Sequence, residues 1–310
     1  MTADETPGGT GAERNGSAPG GSAAVAVDTE SHARAHGYRP RHTLPFRVEA
    51  LRQLRRRRTL IMLGLLALLP WILVIAFKVG GDPRRDNVPT LVDVATGSAL
   101  NLTAFALFVS TGFLLVVAVA LFCGDTIASE ASWSSLRYLL AAPVPRARLL
   151  RVKLAVSLAY SALALIVLPG MALLAGTVAF GWGPLEIPIG GTLTSGEALR
   201  RMAVVVAYGM VSQLVVAAVA FWLSTVTDAP LGAVGGAVGL VVVSNIIDAV
   251  TALGSWRDLL PTHWQFAWID ALQQDVEWDG MVKGSAVSVA YALVFIALAF
   301  RHFERKDIVS

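Results

Sequence analysis

The sequence predicts an all-α membrane protein with six transmembrane helices, and three observations support this fold class. Hydrophobic residues make up 55% of the 310 residues and charged residues only 15%, whereas soluble domains carry about 25% charged residues. The apolar residues form stretches that are apolar on every side of a helix, unlike the one-sided stripe of a soluble helix. Six stretches lack a formal charge and approach the ~20 residues that a helix needs to cross a bilayer. They are residues 59–77, 99–123, 154–185, 202–227, 229–247 and 284–300.

The distribution of lysine and arginine predicts that both termini lie in the cytoplasm. Basic residues accumulate on the cytoplasmic side of membrane proteins. With the N-terminus inside, the inner segments next to the spans hold 14 lysines and arginines and the outer loops hold 7. A five-span alternative would place the basic C-terminus outside, against this rule. We therefore predict a multi-pass protein of the cytoplasmic membrane.

Two segments precede the first span. Residues 1–44 are rich in Gly, Ala, Ser and Thr, and such a segment buries too little apolar surface to offset its ordering entropy. We predict a disordered cytoplasmic tail, either regulatory or dispensable. Residues 45–58 form an amphipathic pattern with Val48, Leu51 and Leu54 on one face and arginines at 55–58. This predicts an interfacial helix whose arginines lie at the lipid headgroups, although a topology signal alone would also explain the charges. Residues 59–308 then form the six-span domain.

The loop between the second and third stretches predicts a cytoplasmic helix. Residues 126–140 have a helical pattern, and Asp125 is expected to cap the helix because its carboxylate can accept hydrogen bonds from free amides. An apolar stripe formed by Trp133, Leu136 and Leu140 follows the helical spacing. Pro143 then ends the helix. Such an ordered, exposed helix is shaped like a docking element, and Glu130 is expected to pair with Arg137 or with a partner's basic residues.

The fifth stretch contains glycines and polar residues, and each group could have either of two roles. Its glycines form small-xxx-small pairs, which allow either packing within the chain or a contact between two chains. Asp248 either reaches the outer water or joins two polar neighbours in a patch on a translocation path. These candidate residues are Gly232, Gly235, Gly236, Gly239, Ser244, Asn245 and Asp248. Tryptophans at 253–282 further predict one or two short helices near the outer leaflet, as a gate or as an inert aromatic belt.

Known catalytic and binding motifs are missing from the sequence. It contains no phosphate-binding loop, no zinc-binding pattern and no nucleophile elbow. The basic residues lie at the predicted membrane edges, which argues against a nucleic-acid surface. We therefore predict no catalytic residue, no metal site and no cofactor on this chain, and we do not expect an enzyme.

The loop after the second stretch resembles the corresponding loop of the type-2 (ABC-2) permeases of ATP-binding cassette exporters. The matching residues are those at 124–130, 136–146, 149–150 and 153, with the C-terminal residues 303–308. Ser134 and Ser135 stand where that family usually has Gly-Thr, a mild departure that leaves the helix prediction intact. The resemblance covers residues 46–308.

The resemblance implies half of a transporter. Two permease chains would pair as a homodimer or heterodimer, and each would dock a separate ATPase that binds ATP and Mg²⁺. The docking residues implied are Asp125, Glu130, Trp133, Leu136, Arg137, Leu140, Pro143 and Arg146. Two alternatives remain: a membrane scaffold or sensor subunit, and a membrane protease that would use Glu130 and Arg137. The transported substrate is not indicated by the sequence.

Overall fold

The computed structural model describes residues 46–80, 91–132, 146–187 and 191–305, and these residues are mostly helical. The α-helices are α1 (Phe46–Leu54), α2 (Arg57–Val79), α3 (Leu91–Thr96), α4 (Ala99–Thr111), α5 (Leu114–Ser132), α6 (Arg146–Phe180), α7 (Ser195–Ser212), α8 (Leu214–Val226), α9 (Pro230–Asp248) and α10 (Asp279–Arg305). Two 3-10 helices, Thr251–Leu259 and Ala267–Leu272, lie between α9 and α10. Strands β1 (Leu185–Glu186) and β2 (Thr192–Leu193) pair antiparallel between α6 and α7, with Leu185 opposite Leu193.

Five helical segments are long and apolar enough to cross a membrane, and α7 and α8 together count as one of them. A sixth span is possible if α4 and α5 together form one. The two helices are bent by 59° at the break between them. The helices therefore confirm an all-helical, multi-pass character. Each of the six apolar stretches in the sequence falls on one of these helical segments.

The two ends of α6 contact different helix ends of the bundle. The amide of Ala99, at the start of α4, donates to the carbonyl of Gly181, which follows α6, at 3.0 Å. At the other end, Arg146 at the start of α6 donates to the carbonyl of Glu304, near the end of α10, at 3.2 Å. We call the end that holds α1, the start of α6 and the end of α10 the basic end, and the other end the opposite end.

Glycines allow two pairs of helices to approach closely. A Cβ atom added at Gly176 of α6 would lie 2.7 Å from the Cα of Ala99. One added at Gly124 of α5 would lie 3.2 Å from the backbone nitrogen of Val234 in α9. Larger side chains at either position would force the helices apart, so these contacts set the spacing of α4 with α6 and of α5 with α9.

Several predicted element boundaries were wrong. Helix α5 continues through Asp125 to Ser132, so Asp125 lies inside a helix and caps nothing. The sixth stretch, 17 residues by composition, belongs to a helix of 27 residues because its ends are polar but still helical. The prediction of one or two short helices after α9 is confirmed, and both are of the 3-10 type. The predicted tail at 1–44 and most of the predicted docking helix, residues 133–140, lie outside the described residues.

Candidate functional site

Helix α1 presents its polar side to the protein and its apolar side outward. Glu49 and Gln53 are 3% and 7% exposed, while Val48, Leu51 and Leu54 are all exposed. Hydrogen bonds to α5 and α6 attach this helix to the bundle. The Gln53 amide donates to the carbonyl of Phe122 in α5 at 3.4 Å, and the Tyr160 hydroxyl of α6 donates to the carbonyl of Ala50 at 2.7 Å. The apolar stripe seen in the sequence is therefore the face that the protein leaves uncovered.

A buried ion-pair group joins α1, α5 and α6. The Lys153 ammonium of α6 donates to Glu49 Oε1 at 2.9 Å and to Glu130 Oε1 at 2.6 Å. The three side chains are only 1%, 4% and 2% exposed. Moving such charges out of water is costly, and direct pairing at this distance is what offsets the cost. The group thus fixes three segments that are far apart in the sequence.

Arginines from α1 and the α1–α2 junction surround these buried charges. Arg52 lies 3.1 Å from Glu130, Arg56 lies 3.0 Å from Asp125, and Arg58 lies 2.6 Å from Asp125. Arg56 also donates to the hydroxyl of Ser129 at 2.9 Å. We call this set the Lys153 cluster; its members are Glu49, Arg52, Arg56, Arg58, Asp125, Ser129, Glu130 and Lys153.

The backbone explains how Arg56 reaches α5. Residues 55 and 56 separate α1 from α2, and Arg56 is extended, with φ −70° and ψ 127°. This break turns the chain from α1 into the first long apolar helix. The junction therefore places Arg56 and Arg58 beside Asp125 of α5, whereas a continuous helix would direct side chains two residues apart to opposite sides.

A second polar contact ties α5 to α8 just beyond Asp125. The Ser224 hydroxyl oxygen, 1% exposed, accepts hydrogen bonds from the amides of Ile127 at 3.0 Å and Ala128 at 2.9 Å. One buried oxygen thus binds two amides within a helix. The last turns of α5 are consequently held from two sides, by Ser224 and by the Lys153 cluster.

The structure changes the interpretation of three predicted docking residues. Asp125 and Glu130 are 8% and 2% exposed, and both pair with cations of their own chain rather than projecting toward a partner. Arg146 bonds to the end of α10. The docking role of all three residues stays a prediction. The remaining predicted docking residues, Trp133, Leu136, Arg137, Leu140 and Pro143, lie outside the described residues.

A second charge cluster lies at the opposite end of the bundle. Asp248 Oδ1, at the end of α9, accepts from Arg257 Nε at 3.2 Å and lies 2.6 Å from His263 Nδ1. His263 Nε2 is 3.5 Å from Asp258. We call Asp248, Arg257, Asp258 and His263 the Asp248 cluster.

The polar neighbours of Asp248 also have partners in the same loop. The hydroxyls of Ser244 and Thr262 lie 2.7 Å apart, and Asn245 Oδ1 accepts from Gln265 at 3.0 Å. The polar residues predicted on the fifth span are therefore all engaged by the segment that follows it. Their place on a translocation path stays a prediction.

The glycines of α9 divide into two sets. A Cβ atom at Gly236 would lie 2.9 Å from Leu223 of α8, and Gly232 has only Thr227 and Ala229 nearby. Gly235 and Gly239 have open space where a Cβ atom would be. Packing within the chain therefore accounts for Gly236, while Gly235 and Gly239 leave a face of α9 available.

Several residues of these clusters were not singled out from the sequence. Glu49, Ser224 and His263 carried no motif, and Lys153 was noted only within the family resemblance. A lysine three residues after Leu150 and directly before a long apolar run is itself a signal, because a buried ammonium needs carboxylate partners. Within the described ranges, no group of three or more His, Cys, Asp or Glu side chains is placed to hold a metal ion.

Long apolar helices packed as a bundle, with charges buried at one end, define a multi-pass helical membrane protein. The sequence matches, over residues 71–309, the family described as protein of unknown function (DUF2705), and the chain belongs to this family. An uncharacterized protein of Bacillus subtilis (strain 168), YhcI, is 25% identical over 237 residues, which cover 72% of each chain. Neither description states an activity.

Proposed function

We propose that this chain is the permease subunit of an ABC-2 type exporter of the cytoplasmic membrane, driven by an ATPase on a separate polypeptide. The observation that carries the proposal is the position of the Lys153 cluster. Glu130 and Lys153 flank the segment between α5 and α6 in which the sequence predicts the ATPase-docking helix. A partner that moves this segment would move α1, α5 and α6 together, since the buried ion pairs join them.

The proposed topology places the basic end in the cytoplasm, with both termini on that side. Three features support it. The arginines of the α1–α2 junction, the start of α6 and the end of α10 meet at this end. The alternation of six segments returns the chain to the end where α1 lies. The apolar outer face of α1 suits a helix lying on the inner leaflet.

A labelling experiment tests this orientation. Cys123 is the only cysteine of the sequence and is buried, so the background labelling is low. Ser255→Cys, on the exposed surface of the opposite end, should react with a membrane-impermeant maleimide added to intact cells. Labelling that requires permeabilised cells would overturn the orientation.

ATP and Mg²⁺ would bind the partner, because the sequence contains no phosphate-binding loop. Two such permease chains would pair, and the open face at Gly235 and Gly239 suits a close contact between the two α9 helices. Co-expression with the neighbouring genes tests whether the second chain is identical to this one.

Docking is tested best in the loop, away from the Lys153 cluster. Glu130→Arg would place a cation against Lys153 in the protein interior, so loss of binding would report unfolding. Leu136→Asp changes the predicted apolar stripe, whereas Tyr138→Asp changes a side chain about 200° around the same helix. We expect Leu136→Asp to abolish co-purification of the ATPase and Tyr138→Asp to retain it. Normal co-purification with Leu136→Asp would refute the docking helix.

ATPase stimulation separates the proposal from the alternatives. An exporter's ATPase should be stimulated by a transported compound in reconstituted vesicles, whereas a scaffold or sensor would show no coupled transport. The engagement of Glu130 by Lys153 argues against a protease that would use Glu130 as its catalytic acid.

A further inference from the structure

A cleft of about 570 Å³ opens at the surface of the Lys153 cluster. One side is formed by the α1–α2 junction and the other by the last turns of α5. The described residues that line it are Arg52, Arg56, Arg57, Arg58, Asp125, Ser129 and Glu130. It is polar, open to the exterior and bounded by side chains of opposite charge.

Positive charge exceeds negative charge in this cleft. In the part of the chain that the structure describes, four guanidinium groups face two carboxylates, and the deeper pair of Lys153 and Glu49 neutralises itself. Each guanidinium carries five N–H donors, yet Arg58 uses only its Nη1 for Asp125. Among the described residues, Arg57 has no carboxylate within ion-pair distance. The described residues of the cleft therefore offer N–H donors to a ligand and carry an excess of positive charge.

The first turn of α2 adds to this field. Its N-cap residue, Arg56, forms no side-chain hydrogen bond to the helix amides. The first amides of a helix lack intrahelical acceptors, and the helix dipole makes this end favourable for an anion. In most helices an acidic or hydroxyl side chain occupies this place. Here the first turn contains arginines and no acidic residue.

The exposed apolar side chains locate the cleft relative to a bilayer. Leu51 and Leu54 of α1 are 49% and 37% exposed, and Leu60 and Ile61 of α2 are 53% and 70% exposed. These side chains begin directly on both sides of the arginine junction. A bilayer that covers them places residues 55–58 at the depth of the phosphate groups.

We propose that this cleft binds the phosphate of an anionic phospholipid headgroup, held by Arg52, Arg57 and Arg58 at the first turn of α2. The ligand chemistry is a phosphate diester, and the adjoining lipid-facing side chains favour a lipid over free phosphate. This site does not depend on transport activity. It would bind the same lipid in an exporter subunit and in a scaffold.

The experiment uses the full-length chain purified in detergent and then placed in nanodiscs of phosphatidylcholine with increasing phosphatidylglycerol. Native mass spectrometry counts the retained phosphatidylglycerol and yields its apparent affinity. Arg57→Gln is the test variant, because its removal breaks no ion pair between described residues. Arg55→Gln is the matched control: it makes the same charge change two residues away, at an exposed arginine outside the cleft.

We expect Arg57→Gln to weaken phosphatidylglycerol binding about fivefold, Arg57→Glu to weaken it further, and Arg57→Lys and Arg55→Gln to retain it within about twofold. Equal losses in Arg55→Gln and Arg57→Gln would overturn the site, because diffuse surface charge would then explain the binding. Displacement of the lipid by millimolar inorganic phosphate would overturn the choice of a lipid. Unfolding temperatures measured without phosphatidylglycerol should be equal for all variants and verify that each is folded.

Discussion

The Lys153 cluster and the Asp248 cluster contain similar groups but differ in burial and in the sequence distance that they span. In the Lys153 cluster the central ammonium and its carboxylates are at most 4% exposed, and Lys153 and Glu49 are 104 residues apart. In the Asp248 cluster the side chains of Asp248, Arg257 and His263 are 22–28% exposed, and the partners lie 9 and 15 residues apart.

This difference separates two structural roles for charged residues in one protein. Water screens the Asp248 cluster, and its contacts join a helix end to the loop that directly follows it. In the Lys153 cluster the central Lys153, Glu49 and Glu130 side chains are shielded from water and join three separate segments. We therefore expect the basic end to behave as one rigid unit and the opposite end to rearrange at low cost.

The largest expected effect follows from removing the buried ammonium. Lys153→Met leaves two carboxylates in the interior without their central cation and should lower the free energy of unfolding by about 3–5 kcal/mol. Tryptophan fluorescence during denaturant unfolding in detergent measures it. The triple variant Glu49→Gln, Glu130→Gln and Lys153→Met removes all three charges and should recover most of the loss. If Lys153→Met is as stable as the wild type, the buried ion pairs do not hold α1, α5 and α6 together.

A smaller effect is expected where α5 meets α8. Ser224→Ala removes the oxygen that accepts from two buried amides, and an unsatisfied buried donor costs about 1–3 kcal/mol. Ser255→Ala, at an exposed serine of the opposite end, is the matched control and should change stability by less than about 0.5 kcal/mol. If the two variants unfold alike, water replaces the Ser224 oxygen and the basic end is less rigid than proposed.

The Asp248 cluster should give a still smaller and salt-dependent effect. Asp248→Asn removes a partly exposed carboxylate and should cost about 1 kcal/mol or less. Because salt screens such pairs, the difference from wild type should shrink between 0.05 and 1 M salt, roughly following the Debye length. The cost of Lys153→Met should stay nearly constant over that range. Equal salt dependence in both variants would contradict the difference in burial.

The smallest change is expected in open space on α9. Gly235→Ala should be neutral or stabilise the helix by about 1 kcal/mol, since alanine has the higher helix propensity. The same substitution at Gly124 should destabilise by about 1–3 kcal/mol, because α5 and α9 touch there. Thermal unfolding measures the change in stability that each of the two substitutions causes. Destabilisation by Gly235→Ala in the isolated chain would contradict the open face.

The long helices were predictable from the sequence because a long apolar stretch without charges is enough to indicate a membrane span. The six apolar stretches coincide with helical segments, and the break near Gly112 and Phe113 was the main feature that composition missed. Bending depends on packing rather than on hydropathy, and that stretch contains no proline.

The charge clusters were predictable only in part. Asp125, Glu130 and Asp248 were recognised as unusual because carboxylates near apolar runs need a partner. The arginines that pair with Asp125 lie 67 and 69 residues away in the sequence, and a single sequence does not state which distant cation meets which carboxylate. The buried polar side of α1 carried no prediction for the same reason: only the fold places Lys153 and Phe122 beside Glu49 and Gln53.

The link between Glu49 and Lys153 also has a consequence for biosynthesis. Chains are made at about 5–20 residues per second, so the 104 residues between the two partners take about 5–20 s to appear. During that interval α2, α4 and α5 leave the ribosome while the carboxylate of α1 still lacks its ammonium. The first helix of the domain therefore cannot be secured by this pair until α6 has been made, and its final placement reports that α6 has arrived.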